Sequence, residues 1–234
     1  MKKIFLLSLC CLFLLTSAFA QKVVEKTLPV AANQKIDLQL KFGNDIKISA
    51  WDKKEVYVKV SYSINSDRLN DALKINFNSG AEAVQVLVDL DHVLLKTGRA
   101  EDCPDQQNNR SYSSHNGQSY YSCTQIDYEI KVPRNGNLVV NTINGNIELR
   151  EISGPVNAKS ISGFVDMNWP GKQGANIALK TITGEVYSDV DIAFTNKQKE
   201  IPIVGYQLKG NVNGGGSEVK LETISNNIYF RRKE

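Results

Sequence analysis

Four twelve-residue stretches in the C-terminal half align without a gap: LVVNTINGNIEL at 138–149, VNAKSISGFVDM at 156–167, IALKTITGEVYS at 177–188 and VKLETISNNIYF at 219–230. The first position is Leu138, Val156, Ile177 or Val219, and the fifth is Thr142, Ser160, Thr181 or Thr223. The sixth is always isoleucine, at Ile143, Ile161, Ile182 and Ile224, and the eighth is Gly145, Gly163, Gly184 or Asn226. Apolar residues at positions one and three, and again at ten and mostly twelve, follow strand period on either side of a centre where the inward parity switches. A bend explains that switch better than one straight strand. Glycine or asparagine at position eight is what a positive φ or a tight corner selects.

The copies start 18, 21 and 42 residues apart. The last interval is twice 21, so residues 189–218 hold either one degenerate coil or a long insertion. Repeated units that cannot bury an apolar face alone stack on their neighbours. The expected fold is therefore all-β, a parallel β-helix or β-solenoid of short stacked coils. The four isoleucines would form one continuous apolar ladder with rungs about 4.8 Å apart. Ile36 and Leu38 before Gly43, with Ile46 after it, read as a weaker N-terminal copy with one extra residue, continuous with the stack. Arg231, Arg232 and Lys233 after the last copy fit either a charged guard on an exposed strand end or a basic tail.

Upstream, Ile36–Leu40, Ile46–Ile48 and Val56–Val60 alternate apolar and polar residues as half-buried strands, and 74–77 and 83–90 follow suit. A short helix over Asp67–Leu73, capped by Asp67, is the one helical expectation. Residues 98–121 lack apolar periodicity and read as a long loop. At the start, Lys2 and Lys3, an apolar run from Ile4 to Leu15 and Ala18-Phe19-Ala20 have the form of a secretory signal peptide over 1–20. Its apolar core is too short to span a bilayer, which needs roughly 20 residues. Leu9, where lipoprotein signals carry a small residue, argues against lipidation at Cys10. The remainder, 21–234, reads as one domain: strands and a stapled loop over 21–133, then repeated coils over 134–234. Without Lys2 and Lys3, 26 basic residues face 25 acidic ones, a balance that argues against nucleic acid or a polybasic membrane patch. Cys103 and Cys123, an even pair in an exported chain, read as a disulfide.

Phe42-Gly43-Asn44-Asp45-Ile46-Lys47-Ile48, Tyr128-Glu129-Ile130-Lys131-Val132-Pro133 and the repeated Ile-x-Gly-x-Val/Ile steps together resemble the bacterial putative-adhesin family, exported β-solenoid domains common among Bacteroidetes. The resemblance covers nearly all of the chain after residue 20. It implies a right-handed parallel β-helix-like fold and an envelope location, in the periplasm or on the cell surface of a Gram-negative bacterium. The cysteine-flanked loop and the insertion before the last copy depart from the plain pattern.

No catalytic, cofactor, nucleotide or metal motif stands out. Glu148 and Asp166 share position eleven of consecutive copies, so stacking would bring two like charges within about 5 Å. Such a pair could share a proton or bind calcium, but Tyr187 and Tyr229 end the acidic row after two rungs, so an outward, solvated face is the expectation. Asp89-x-Asp91-His92 and Asp189-x-Asp191 have ligand-like spacing, which outward positions on strands also explain. His115 has no nucleophile or orienting acid beside it. Within the loop, Tyr112, Tyr120 and Tyr121 with Asn109 and Arg110 have the composition of a recognition surface. Asn109-Arg110-Ser111 is also a glycosylation sequon. The expected function is a non-enzymatic envelope adhesin that binds a glycan or protein. A structural periplasmic scaffold and a β-helix carbohydrate-active enzyme are the alternatives.

Overall fold

The computed structural model describes residues 21–103, 110–115, 117–195 and 205–233. The expected signal peptide lies outside the described residues, and no helix among them is long and apolar enough to cross a membrane. In chain order the strands are β1 (Lys22–Pro29), β2 (Lys35–Leu40), β3 (Phe42–Trp51), β4 (Glu55–Ile64), β5 (Leu73–Ser79) and β6 (Ala83–Leu90). After a helical turn, α1 (His92–Leu95), come β7 (Arg110–His115), β8 (Gln118–Pro133), β9 (Asn137–Thr142), β10 (Asn144–Arg150), β11 (Val156–Ser160) and β12 (Val165–Trp169). The last are β13 (Ala175–Lys180), β14 (Val186–Ser188), β15 (Ala193–Phe194), β16 (Gln207–Val212), β17 (Ser217–Glu222) and β18 (Ile228–Arg232). The helix expected over Asp67–Leu73 is instead a turn with positive φ at Asn65, Ser66 and Asp67, a 3-10 turn at Asn70–Ala72, and then β5.

Two mixed sheets, each of nine strands among the described residues, share one core. The first runs β1-β4-β8-β3-β10-β12-β18-β14, with β7 alongside β8; the second runs β15-β16-β13-β17-β11-β9-β2-β6-β5. This overturns the expected solenoid of coils stacked in sequence order. Each copy does fold as strand, corner, strand, with its first strand in the second sheet and its other strand in the first. Yet the copies line up as first, second, fourth, third, because β17 lies between β11 and β13 and β18 between β12 and β14. Antiparallel strands then extend the parallel blocks: β4 on β8, β5 on β6, and β16 on β13. Among its described residues the 42-residue interval holds an antiparallel hairpin limb, β16, and no further parallel coil. Its span also gives the chain enough length to return between two earlier copies.

A second expectation is also reversed. Ile143, Ile161 and Ile182 are 40%, 37% and 39% exposed, on the outside of the corner rather than in a buried ladder. The core is built from positions one, three, ten and twelve, for example Leu138, Val140, Ile147 and Leu149, together with Trp169 and Phe230. The parity switch at the corner places position six outside.

The position-five hydroxyls explain the corner. Ser160 Oγ donates to the Gly145 carbonyl at 2.9 Å and accepts from the Gly163 amide at 2.9 Å. Thr223 donates to the Gly163 carbonyl and Thr181 to the Asn226 carbonyl, both at 2.8 Å, so these bonds repeat the strand order independently. Thr142 Oγ1, beside the β2–β3 corner, is buried without a partner among the described residues. There the extra residue of the Phe42-Gly43-Asn44 corner shifts the β3–β10 register between Asn144 and Asn146. None of the position-eight residues has positive φ; the glycines are selected by close approach instead. A Cβ on Gly163 would lie 1.9 Å from the Gly145 carbonyl oxygen, and one on Gly184 1.9 Å from that of Asn226.

Arg231 and Arg232 are neither a guard nor a tail. They close β18, an interior strand between β12 and β14, and Lys233 pairs with Glu151 at 2.8 Å.

Candidate functional site

The expected recognition loop is largely a hairpin. β7 and β8 pair antiparallel, with Arg110 opposite Cys123 and Tyr112 opposite Tyr121. The Tyr112 and Tyr121 rings lie 5.3 Å apart, Tyr112 is 61% exposed, and its hydroxyl meets Ser119 Oγ at 3.0 Å. Tyr120 pairs with Ser113 and so belongs to the other face. Asn109 lies outside the described residues, as does the side chain of Arg110, so of the five expected residues two are brought together. At the base, the Cys103–Cys123 disulfide joins the segment after Ala100–Asp102 to β8. Buried Asn65 braces the same point, its Nδ2 donating to the Tyr121 carbonyl at 2.9 Å and its Oδ1 accepting from the Cys123 amide at 3.1 Å.

The ligand-like acids have other work. Asp89 pairs with Lys41 at 2.5 Å, and the Lys41 ammonium holds its carboxyl below the usual range. Asp91 caps α1, accepting from the Leu94 and Val93 amides, which lower its pKa. Asp189 accepts from the Arg232 amide at 2.6 Å. No group of three metal-capable side chains occurs among the described residues, and the side chain of His115 lies outside them.

Glu148 and Asp166 are indeed side by side in register on the outward face of the first sheet. They are held by arginines that spacing alone did not identify as partners. Arg150 Nη2 donates to Glu148 at 2.9 Å and to Asp166 at 2.8 Å, and Arg231 grips Asp166 from the other side through Nε at 3.0 Å and through Nη2. Three elements converge because Arg150 lies two residues beyond Glu148 on β10 and Arg231 two beyond Tyr229 on β18, the strand inserted next to β12. An Asp166→Asn variant is expected to lose roughly 1–2 kcal/mol of stability, since a charge-assisted bond to each arginine weakens. The measurement is the urea midpoint at unchanged slope; an unmoved midpoint would mean that the network contributes nothing.

Next to this network is an aromatic platform. Asp166, Tyr229 and Tyr187 occupy one ladder across β12, β18 and β14. The two tyrosine rings stack at 5.3 Å and 11°, and Phe164 meets Tyr229 edge-on at 6.1 Å. Tyr187 is 46% exposed and donates to the Glu185 carboxylate, which raises the tyrosine pKa. Asn227 Nδ2 reaches the Tyr229 hydroxyl at 3.1 Å. Beside the platform opens a cavity of about 650 Å³ lined by Arg150, Asn168, Asp189, Arg231, Arg232 and Lys233. The sequence signal for the platform was visible in position eleven, Tyr187 and Tyr229, but their adjacency depends on the fourth copy lying next to the third.

No family model matches the chain, and no curated protein matches it either. Among solved structures, a putative cell adhesion protein from Clostridium sporogenes is similar over 91% of this chain and 100% of its own, at 15% identity and a TM-score of 0.50. A putative adhesin from Bacteroides fragilis (10% identity, 91% and 97% coverage) and a putative lipid binding protein from Parabacteroides distasonis (11%, 91% and 97%) both have a TM-score of 0.23. What the Clostridium sporogenes likeness establishes is the fold alone.

Proposed function

We propose that the chain is an exported, non-enzymatic binding protein of the cell envelope, and that the aromatic platform on the first sheet takes a glycan. The observation that carries this reading is the stacked Tyr187–Tyr229 pair, half-exposed and framed by Phe164, Asn227 and Glu185. Flat rings cover the apolar faces of sugars at low entropic cost, while amides and carboxylates bond their hydroxyls. The paired acids Glu148 and Asp166 are already bound by Arg150 and Arg231, which suits positioning rather than proton transfer. The hairpin tyrosines, Tyr112 and Tyr121, form a second exposed contact surface on a rigid base. The fold shared with the putative cell adhesion protein of Clostridium sporogenes, and the export-type N-terminus, are consistent with this role.

A glycan array probed with the purified protein and a Tyr187→Ala/Tyr229→Ala variant tests the proposal. Binding by the wild type, reduced on the order of tenfold or more in the variant, is the expected result, since ring stacking contributes about 0.5–1.5 kcal/mol per pair beyond area. If neither protein binds any glycan, the structural-scaffold reading takes its place. Protease added to intact cells reports the location: digestion places the protein on the surface, protection in the periplasm.

A further inference from the structure

We propose that the outward face of the second sheet carries a separate groove for an anionic polysaccharide, centred on β17, β13 and β16. A trough of about 790 Å³ crosses these strands. Registers place Asn157, Lys220, Ala178 and Lys209 on one ladder, so the methyl of Ala178 forms a notch between two lysines. With strands about 4.8 Å apart, the two lysine backbones stand roughly 10 Å from each other. The next ladder contributes Glu218, Asn176 and Asn211, and the Asn176 amide already engages the Glu218 carboxylate at 2.7 Å.

Charge decides the kind of ligand. On β2, β9, β11, β17, β13 and β16, Lys35, Lys159, Lys180, Lys209 and Lys220 outnumber Asp37, Glu218 and Glu222. That surplus stands out in a chain whose charges otherwise nearly cancel. Lys159 and Lys220 both reach Glu222, at 3.2 and 3.3 Å, so two lysines share that carboxylate, while Lys35 pairs with Asp37 at 3.5 Å. Lysine meets an anion as a point charge and does not distinguish carboxylate from sulfate. The amides of Asn157, Asn176 and Asn211 each offer donors and an acceptor suited to sugar hydroxyls. None of the described residues lining the trough is aromatic, which disfavours stacking of nucleic-acid bases. The groove is on the sheet opposite to Tyr187, so it stands or falls independently of the platform.

Titration calorimetry of the purified protein with polygalacturonate, dextran sulfate, neutral dextran and poly-glutamate tests it. The expected result is binding to one or both anionic polysaccharides, weakening with salt, and none to dextran. Binding to polygalacturonate alone assigns a carboxylated glycan, and to dextran sulfate alone a sulfated one. Lys209→Ala/Lys220→Ala should weaken binding about tenfold, as expected for two partly screened ion pairs. Ala178→Phe should weaken it similarly by filling the notch without changing charge. The double variant Lys47→Ala/Lys59→Ala, which removes equal charge from the first sheet, should leave it unchanged; an unshifted urea midpoint certifies that each variant is folded. The proposal is overturned if neither polyanion binds, if poly-glutamate binds as well as the polysaccharides, or if the Lys47/Lys59 variant loses as much as the Lys209/Lys220 variant.

Discussion

A Gly163→Ala variant is expected to lose about 3 kcal/mol of stability, the upper end of what overpacking a close contact costs. The added Cβ would fall 1.9 Å from the Gly145 oxygen, 2.3 Å from its carbonyl carbon and 2.8 Å from the Asn146 nitrogen. All three are backbone atoms, so relief requires β10 and β12 to part at their corner. Parting them strains the Ser160 hydroxyl bridge between the Gly145 carbonyl and the Gly163 amide. Gly145→Ala provides the contrast. Its Cβ would meet chiefly the end of the Ile46 side chain at 2.9 Å and Thr142 Oγ1 at 3.1 Å, groups that can rotate away. A loss nearer 1 kcal/mol is expected there. Urea denaturation of both variants is the measurement; equal losses would show that strand propensity, not close approach, selects glycine at position eight.

Replacing Cys103 and Cys123 together by serine is expected to cost roughly 3 kcal/mol, because the bond closes a separation of 20 residues and its loss frees the unfolded chain. The folded state should change little. The Asn65 side chain still spans the Tyr121 carbonyl and the Cys123 amide, and Arg68 still pairs with Asp102 at 2.5 Å, holding that carboxyl below its usual pKa. The consequence is a lowered midpoint at full unfolding, with the β7–β8 amides protected from hydrogen exchange in the native state. Early exchange of β7–β8 at an unchanged global midpoint would instead assign the disulfide a purely local role.

The strand-corner-strand module was legible because each of its cues is local. Leu138, Val140, Ile147 and Leu149 sit at strand period, and Ser160 with Gly163, like Thr181 with Gly184, has the three-residue spacing that lets a hydroxyl reach the amide of the corner. Position eleven likewise announced that Glu148 and Asp166 would be neighbours, and they are. The stapled segment was misread as loop because Arg110–His115 and Gln118–Tyr121 consist of serine, tyrosine and other polar residues with no aliphatic position among them. A hairpin exposed on both faces carries no hydrophobic period for a sequence pattern to register. The isoleucines of position six were misplaced for a related reason: an identical residue in every copy suggests burial, yet the corner turns that position outward.

Strand content, the repeated corner and the pairing of the two cysteines were therefore determined by the sequence alone, through short-range geometry and the chemistry of thiols. The order of the copies was decided only in the tertiary structure. Each copy offers the same hydrogen-bonding edges and nearly the same inward residues, so any adjacent pair of copies satisfies the local pattern equally. The structure sets β17 and β18 between the second and third copies and β16 antiparallel along β13. That choice stacks Tyr229 on Tyr187, sets Arg231 against Asp166, and puts Ala178 between Lys220 and Lys209.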